Sequence, residues 1–305
     1  MKWPFILAII IFILLFLTMN TVHKNTVHKN MVEMNTVERN TVEKNTVEIN
    51  TVNTEKAICF LSASFSDKLY EFVKELAKDD TEREYDFYIC IDKGVEINNN
   101  DENISLLFVD GKSAEEKGFK SSVLYFQGRA CSRDKALYYF SIEKPDVYDN
   151  VWMIEDDVFF YNLETIRRLD RRYPSSDLIT KQFDIVRNEH EKNKMSWDNW
   201  HFLNDKIGFP WTKGMISVIR VSSLLLATIR DYALKNKTLL FDESMFTTFS
   251  LHYNLTVETP DEFQEVFWND NINWNYLNST HFLHPVKDIS FHEKLRHNIT
   301  KLLDS

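Results

Sequence analysis

Residues 151–160, VWMIEDDVFF, place three consecutive acids inside an otherwise apolar run. The four residues before the acids are typical of a buried strand in a parallel sheet, where an unpaired carboxylate is costly unless something compensates it. We therefore expect Glu155, Asp156 and Asp157 at the carboxyl end of the strand, the edge at which open α/β sheets bind ligands. Three carboxylates that converge there favour a divalent cation. The alternative is that they precede the helix predicted at residues 162–169, because acids stabilise helix N-termini.

Composition and charge limit the class of protein. The chain has 305 residues and a formal net charge of -10. No basic stripe is present that would neutralise a phosphate backbone, which argues against a nucleic-acid binder. The chain has 3 cysteines, an odd count, so at least one thiol is unpaired within it. We interpret the cysteines as small buried apolar residues.

Two segments precede the part of the chain that we expect to fold. Residues 3–19 form an uncharged apolar run about long enough to span a thin bilayer, and no cleavage site follows it. Residues 20–56 repeat five-residue units such as NTVHK, which offer too little apolar surface for a core and predict a disordered stem. We expect a single-pass type II protein of the Golgi or ER membrane, with residues 1–2 cytosolic and residues 57–305 luminal. A cleaved signal peptide is the alternative.

Residues 57–305 alternate apolar runs with helical patterns, which predicts an α/β domain with a Rossmann-like, mostly parallel sheet flanked by helices. Three apolar runs precede the acidic stretch, at residues 57–61, 85–92 and 104–110. Residues 131–144 predict a helix with Ser132 as its N-cap. The sequence contains no dinucleotide-binding glycine motif, no P-loop, no hydrolase G-x-S-x-G elbow and no Cys/His zinc spacing.

The second half of the chain adds large aromatic residues and a second pair of acids. Three tryptophans are candidates for stacking on sugar rings, with packing in the core as an equal alternative: Trp197, Trp200 and Trp211. A strand predicted at residues 215–220 and a helix from Ser222 to about Lys235 lead to Asp242 and Glu243. Taken alone, this acid pair fits an ordinary helix start equally well.

The order of these motifs resembles a known family. SRDKALYYF at residues 132–140, an apolar strand and then EDDVFFYN at residues 155–162 are similar to the nucleotide-sugar half of GT-A glycosyltransferases, in which a basic helix precedes the acidic metal motif called DxD. The EDD form is most similar to that of Golgi N-acetylglucosaminyltransferases. The resemblance covers residues 57 to about 290. It implies a GT-A fold and transfer of a hexosyl or N-acetylhexosaminyl group from a nucleoside diphosphate sugar, with a UDP-sugar expected, to a glycan or glycoprotein hydroxyl.

The resemblance also implies roles for individual residues. Asp157 would ligate Mn²⁺ or Mg²⁺, joined by Glu155 and His284. Glu155 and Asp156 would also contact the donor. The remaining donor contacts would come from Asp92, Arg133, Lys135, His284 and Lys287. A hard cation held in this way would stabilise the charge that the diphosphate gains as it leaves.

The same resemblance assigns the base. Glu243 would take the proton of the acceptor hydroxyl, with Asp242 as the second choice, and the three tryptophans would bind the acceptor. An inverting reaction needs such a base on the opposite face of the sugar. Glu243 departs from the aspartate expected at this position in the family, and the loop cysteines of many Golgi enzymes are absent. A catalytically inactive sugar-binding or scaffold membrane protein is the alternative, as is another metal-dependent enzyme such as a phosphotransferase or nuclease.

Overall fold

The computed structural model describes residues 55–92, 103–121, 129–268, 272, 274 and 277–304. All of them belong to one compact unit, Asn53–Ser305. The predicted cytosolic residues, the membrane anchor and all but the end of the predicted stem lie outside the described residues, so these predictions stay untested. Among the residues that the structure does describe, no helix has both the length and the apolar character needed to cross a membrane.

A seven-stranded sheet forms the centre of this unit. Counting a separate pair, the described residues form nine strands: β1 (Lys56–Ser62), β2 (Tyr85–Ile91), β3 (Ile104–Leu107), β4 (Asn150–Glu155), β5 (Leu178–Ile179), β6 (Asp184–Val186), β7 (Trp211–Lys213), β8 (Val218–Ser222) and β9 (Val257–Glu258). The order in the sheet is β3-β2-β1-β4-β8-β5-β9, while β6 and β7 form a separate antiparallel pair. Strand β8 runs antiparallel to β4 and β5, and the other neighbours are parallel. The prediction of a mixed α/β domain with a mostly parallel sheet is confirmed.

Helices cover both faces of the sheet. They are α1 (Asp67–Asp79), α2 (Gly111–Glu116), α3 (Ser132–Tyr138), α4 (Leu163–Arg172), α5 (Glu189–Lys194), α6 (Ser223–Asn236), α7 (Asp242–His252) and α8 (Ile289–Leu303). Strand β4 is apolar at successive positions because both of its faces are buried. Val151 and Met153 pack in one hydrophobic cluster, and Trp152 and Ile154 pack in another.

Two local predictions need correction. The helix predicted over residues 131–144 ends as an α-helix at Tyr138 and continues as a π-helix, Tyr139–Glu143. Its N-cap is Cys131, not Ser132, because the Asp134 carboxylate accepts the backbone N–H of Cys131 at 3.1 Å and places Ser132 inside the helix. The strand predicted at residues 215–220 corresponds to β8, which begins three residues later, at Val218.

A buried ion pair fixes α4 against the sheet. Arg220 on β8 is 1% exposed and donates to the Asp170 carboxylate on α4 at 2.8 Å. Asp170 also accepts from the hydroxyl of Tyr85 on β2 at 2.7 Å and from the indole N–H of Trp152 on β4 at 3.1 Å. Arg220 donates further to two carbonyl groups just beyond α4. This network connects strands β2, β4 and β8 to helix α4.

Candidate active site

The three acids lie at the carboxyl edge of the parallel strands. Glu155 is the last residue of β4, and Asp156 and Asp157 form the turn that follows it. Helix α4 begins only at Leu163 and has Asn162 as its N-cap, so the acids do not start a helix. Their position at the ligand-binding edge of the sheet is as predicted.

His284 joins two of these acids. Its Nε2 lies 3.2 Å from Oδ1 of Asp157 and 3.5 Å from Oε2 of Glu155. Two backbone contacts bring the histidine there, since Leu283 exchanges hydrogen bonds with Phe159 and the N–H of Val286 donates to the carbonyl of Asp157. One ligand atom from each of three residues lies within 4.8 Å of the other two: Glu155, Asp157 and His284.

The imidazole of His284 is held from behind. Its Nδ1 lies 2.6 Å from the carbonyl oxygen of Phe267, to which it donates, and Nε2 therefore faces the carboxylates. Burial alone would lower the pKa of His284, but the hydrogen bonds to Asp157 and Glu155 outweigh burial and raise it to about 9. In this structure the ring therefore carries a positive charge near neutral pH. That charge compensates the two acids.

The chemistry of this cluster fits a divalent cation. Two carboxylates and one imidazole nitrogen are a donor set that Mn²⁺ accepts. In metal sites, the ring nitrogen of a histidine that does not bind the metal usually donates to a carbonyl or carboxylate, as Nδ1 of His284 does to Phe267. The positive charge of protonated His284 lies between Glu155 and Asp157, where a cation would replace it. His284 has to lose its Nε2 proton before it ligates a metal.

We expect Mn²⁺ binding to release protons and to tighten as the pH rises toward about 9, because the raised pKa of His284 makes the proton a competitor of the metal. Isothermal titration calorimetry in buffers of different ionisation enthalpy measures this proton release. The variant His284→Gln is the control and should bind Mn²⁺ more weakly, with little pH dependence in this range. Proton release that is equal in the wild type and in His284→Gln would contradict the role of His284 as a ligand.

Arg133 connects the cluster to the second pair of acids. One guanidinium nitrogen lies 2.5 Å from Glu155 and the other lies 2.8 Å from Asp242. Burial alone would lower the pKa of Arg133, but these two carboxylates raise it above its ordinary value. Burial alone would raise the pKa of Glu155, but Arg133 and then His284 lower it to about 2. The resemblance implied a diphosphate contact for Arg133, whereas the structure places its guanidinium between two carboxylates.

Asp242 and Glu243 begin α7, so the helix-start interpretation describes their local structure. The carbonyl of Glu243 accepts the N–H of Gly214, which anchors the first turn beside β7. Glu243 is only 6% exposed. Burial, and next the charge of Asp242, raise the pKa of Glu243 to about 8, although Lys213 and Arg133 act in the opposite direction. A carboxylate with this pKa is suited to accept a proton near neutral pH.

Other candidate donor contacts lie at the ends of β1 and β2. Lys135 is buried and donates from Nζ to the carbonyl of Asp92 at 2.6 Å. One carboxylate oxygen of Asp92 is buried without a hydrogen-bond partner among the described residues. The hydroxyl of Ser62 donates to Asp156, whose pKa is raised by burial and then by the neighbouring acids. The sequence pattern did not identify Ser62 as a site residue. The feature that could have indicated it is the polar segment SASFSD, which begins at Ser62 after the first apolar run.

Lys287 is exposed.

The tryptophans divide between core and surface. Trp200 and Trp211 are buried, and their rings stack with centroids 6.3 Å apart. Both rings belong to the hydrophobic core, so the alternative of core packing describes them and the prediction that they stack on a sugar does not. Trp197 is half-buried and lies 5.4 Å, between ring centroids, from Phe241, the residue before Asp242. Trp197 is therefore the one of the three that lies beside the second acid pair and keeps some exposed surface.

Comparison with known proteins gives similarity of structure only. No family model and no curated protein matches the sequence. The galactosyltransferase LgtC, in complex with donor and acceptor sugar analogs, is 11% identical, with 80% of this chain and 96% of that chain covered, at a TM-score of 0.43. Mouse xyloside xylosyltransferase 1 in its apo form is 11% identical, with 68% and 86% covered, at 0.36. The 4-diphosphocytidyl-2C-methyl-D-erythritol synthase of Anaerococcus prevotii is 11% identical, with 83% and 98% covered, at 0.39. Similarities of this size do not assign a family or an activity.

Proposed function

We propose that this protein is a metal-dependent glycosyltransferase of the GT-A type. It moves a hexosyl or N-acetylhexosaminyl group from a nucleoside diphosphate sugar, with a UDP-sugar expected, to a hydroxyl of a glycan or glycoprotein. One observation carries the proposal. The cluster of Glu155, Asp157 and His284 lies at the carboxyl edge of the sheet, and Arg133 joins it directly to the acid pair that contains Glu243.

The residues present divide the work of such a reaction. Glu155, Asp157 and His284 would hold Mn²⁺ or Mg²⁺, which when bound supplies positive charge to a diphosphate leaving group. Glu243 accepts the proton of the acceptor hydroxyl on a carboxylate oxygen, and its burial keeps competing water away. Arg133 holds Glu155 ionised and keeps Asp242 beside the base. A base separate from the metal ligands supports an inverting course.

We also propose a membrane location for this activity, on the basis of the sequence alone. The apolar run at residues 3–19 supports a single-pass type II arrangement in the Golgi or ER membrane, and residues 20–56 would hold the catalytic unit away from the bilayer. Under this proposal the acceptor is a luminal glycan or glycoprotein.

Release of nucleoside diphosphate tests the proposal. The full-length protein in detergent is incubated with a panel of nucleotide sugars, with and without Mn²⁺. We expect metal-dependent release from one donor and a fall to background in Asp157→Ala, because that variant lacks a carboxylate of the metal cluster. Asp231→Ala, which removes an exposed acid on α6, is the control and should release as the wild type does. Mn²⁺ binding with no release from any donor would favour a sugar-binding or scaffold protein instead.

A further inference from the structure

We propose that Lys181 is a positioning residue for His284, and that its ammonium group locks the chain segment that orients the imidazole ring. The inference rests on the proposed metal site. It concerns a lysine that neither the sequence pattern nor the resemblance singled out.

The segment behind His284 is an isolated parallel β-bridge between Val266 and His284. The N–H of His284 donates to the carbonyl of Glu265 at 3.0 Å, and the N–H of Phe267 donates to the carbonyl of His284 at 2.9 Å. These bonds are backbone contacts that flank the metal ligand directly. Any shift of residues 264–267 therefore changes the position of His284.

The chain enters this bridge through a turn. Gln264 and Glu265 form the turn, with Gln264 in the right-handed helical conformation, and Val266 is the bridge residue. The Nζ of Lys181 donates to the carbonyl of Gln264 at 2.9 Å and to the carbonyl of Val266 at 2.5 Å. The ammonium group therefore connects the turn to the bridge residue that pairs with His284.

The third contact of the ammonium group reaches the residue that touches His284. Nζ of Lys181 lies 3.6 Å from the centroid of the Phe267 ring, within the range of a cation–π interaction. The carbonyl of the same Phe267 accepts the Nδ1–H of His284 at 2.6 Å. Lys181 thus holds the carbonyls of Gln264 and Val266, which precede Phe267 in the chain, and it also contacts the side chain of Phe267 itself.

An ordinary surface lysine does not have these properties. Lys181 is half-buried, and burial lowers its pKa while Glu265 acts in the opposite direction. Ordering the long side chain of Lys181 costs conformational entropy. The hydrogen bonds to the two carbonyls and the contact with the Phe267 ring offset this cost while the ammonium group is charged. These contacts lead to Phe267, whose carbonyl accepts the Nδ1–H of His284 and so determines where Nε2 points.

The experiment compares Mn²⁺ binding by full-length wild-type protein and by Lys181→Met, in detergent, with free Mn²⁺ measured by electron paramagnetic resonance. We expect the variant to bind Mn²⁺ about 10–100-fold more weakly, the usual cost of losing an outer-shell partner. Lys181→Arg keeps the charge and should recover part of the affinity. Lys206→Met is the matched control, since Lys206 is also half-buried and its pKa is also lowered by burial.

A second measurement needs no metal. In protein labelled with ¹⁵N-histidine, the Nδ1–H of His284, assigned by its absence in His284→Gln, should exchange slowly with solvent in the wild type. In Lys181→Met it should exchange faster, because the ammonium group no longer holds Phe267, whose carbonyl accepts this N–H. A general loss of stability would appear equally in Lys206→Met and would not be rescued by Lys181→Arg.

The outcomes separate this inference from the proposed function. If the wild type and Lys181→Met show the same slow exchange at His284, the inference is wrong, whether or not Mn²⁺ binds. If Mn²⁺ does not bind to the wild type, the proposed metal site fails, while faster exchange in Lys181→Met alone still supports the positioning role. Weaker Mn²⁺ binding together with faster exchange supports both.

Discussion

Glu243→Gln should lower the turnover number for sugar transfer by about 10²–10⁴-fold, the usual contribution of a general base. The amide preserves the shape of the side chain but cannot accept the proton of the acceptor hydroxyl. Binding of Mn²⁺ should change little, because Glu243 is not one of the three residues of the metal cluster and acts on Glu155 through its charge at a distance. The measurement is the rate of transfer from the donor identified by nucleoside diphosphate release, with Mn²⁺ affinity determined in parallel.

The control for this variant is Glu258→Gln, which changes a half-buried glutamate of β9 and should leave the turnover number unchanged. Full turnover in Glu243→Gln would exclude Glu243 as the base and make Asp242 the candidate.

The pH profile of the wild type tests the same residue. Because burial and Asp242 raise the pKa of Glu243 to about 8, the transfer rate should rise with pH and level off above about 8. The sign follows from the role, since only the deprotonated carboxylate accepts a proton. At saturating Mn²⁺, where the pH dependence of metal binding through His284 no longer affects the rate, the small residual rate of Glu243→Gln should lack this step. A wild-type rate that falls as the pH rises toward about 8 would contradict the assignment.

Arg220→Met should lower the free energy of unfolding by about 3–5 kcal/mol, the range measured when one partner of a buried ion pair is removed. The substitution leaves the buried Asp170 carboxylate with the donors from Tyr85 and Trp152 and with the more distant ammonium of Lys56, which lies 4.0 Å away. It also removes the donors to two carbonyl groups beyond α4. Equilibrium unfolding in urea, followed by tryptophan fluorescence, measures the loss.

Two further variants identify the cause. Arg171→Met removes an arginine of α4 that is 60% exposed and pairs with Glu164 at the surface, and it should not change the unfolding midpoint measurably. Adding Asp170→Asn to Arg220→Met neutralises the stranded carboxylate and should restore part of the lost stability. If Arg220→Met is as stable as Arg171→Met, the buried pair does not stabilise the fold.

The sequence by itself determined the class of fold and the place of the three acids. Alternating apolar runs and helical patterns predicted a mixed α/β domain with a mostly parallel sheet, as observed. The physical reason is local. A central strand covered on both faces is apolar at successive positions, so Glu155, Asp156 and Asp157 mark the point where β4 ends. Local patterns were less exact at element boundaries, as at Cys131, where the Asp134 carboxylate accepts the backbone N–H of Cys131 and so decides which residue caps the helix.

The resemblance named His284 beside Glu155 and Asp157, and only the tertiary structure shows which contacts bring distant groups to the acids. His284 faces Glu155 and Asp157 because Leu283 pairs with Phe159. Arg133 lies between Glu155 and Asp242 because the first turn of α3 and the first turn of α7 both lie at the end of β4. Periodicity reports which face of an element is apolar. It does not report which charged group lies opposite.

Burial was decided in the same way. The spacing of Trp200 and Trp211 is compatible with a surface platform, yet both rings are enclosed by other elements. The raised pKa of Glu243 also depends on packing, since burial beside Asp242 is its cause. Exposure and pKa depend on contacts between residues far apart in the chain, and a linear pattern of residue types contains no record of those contacts.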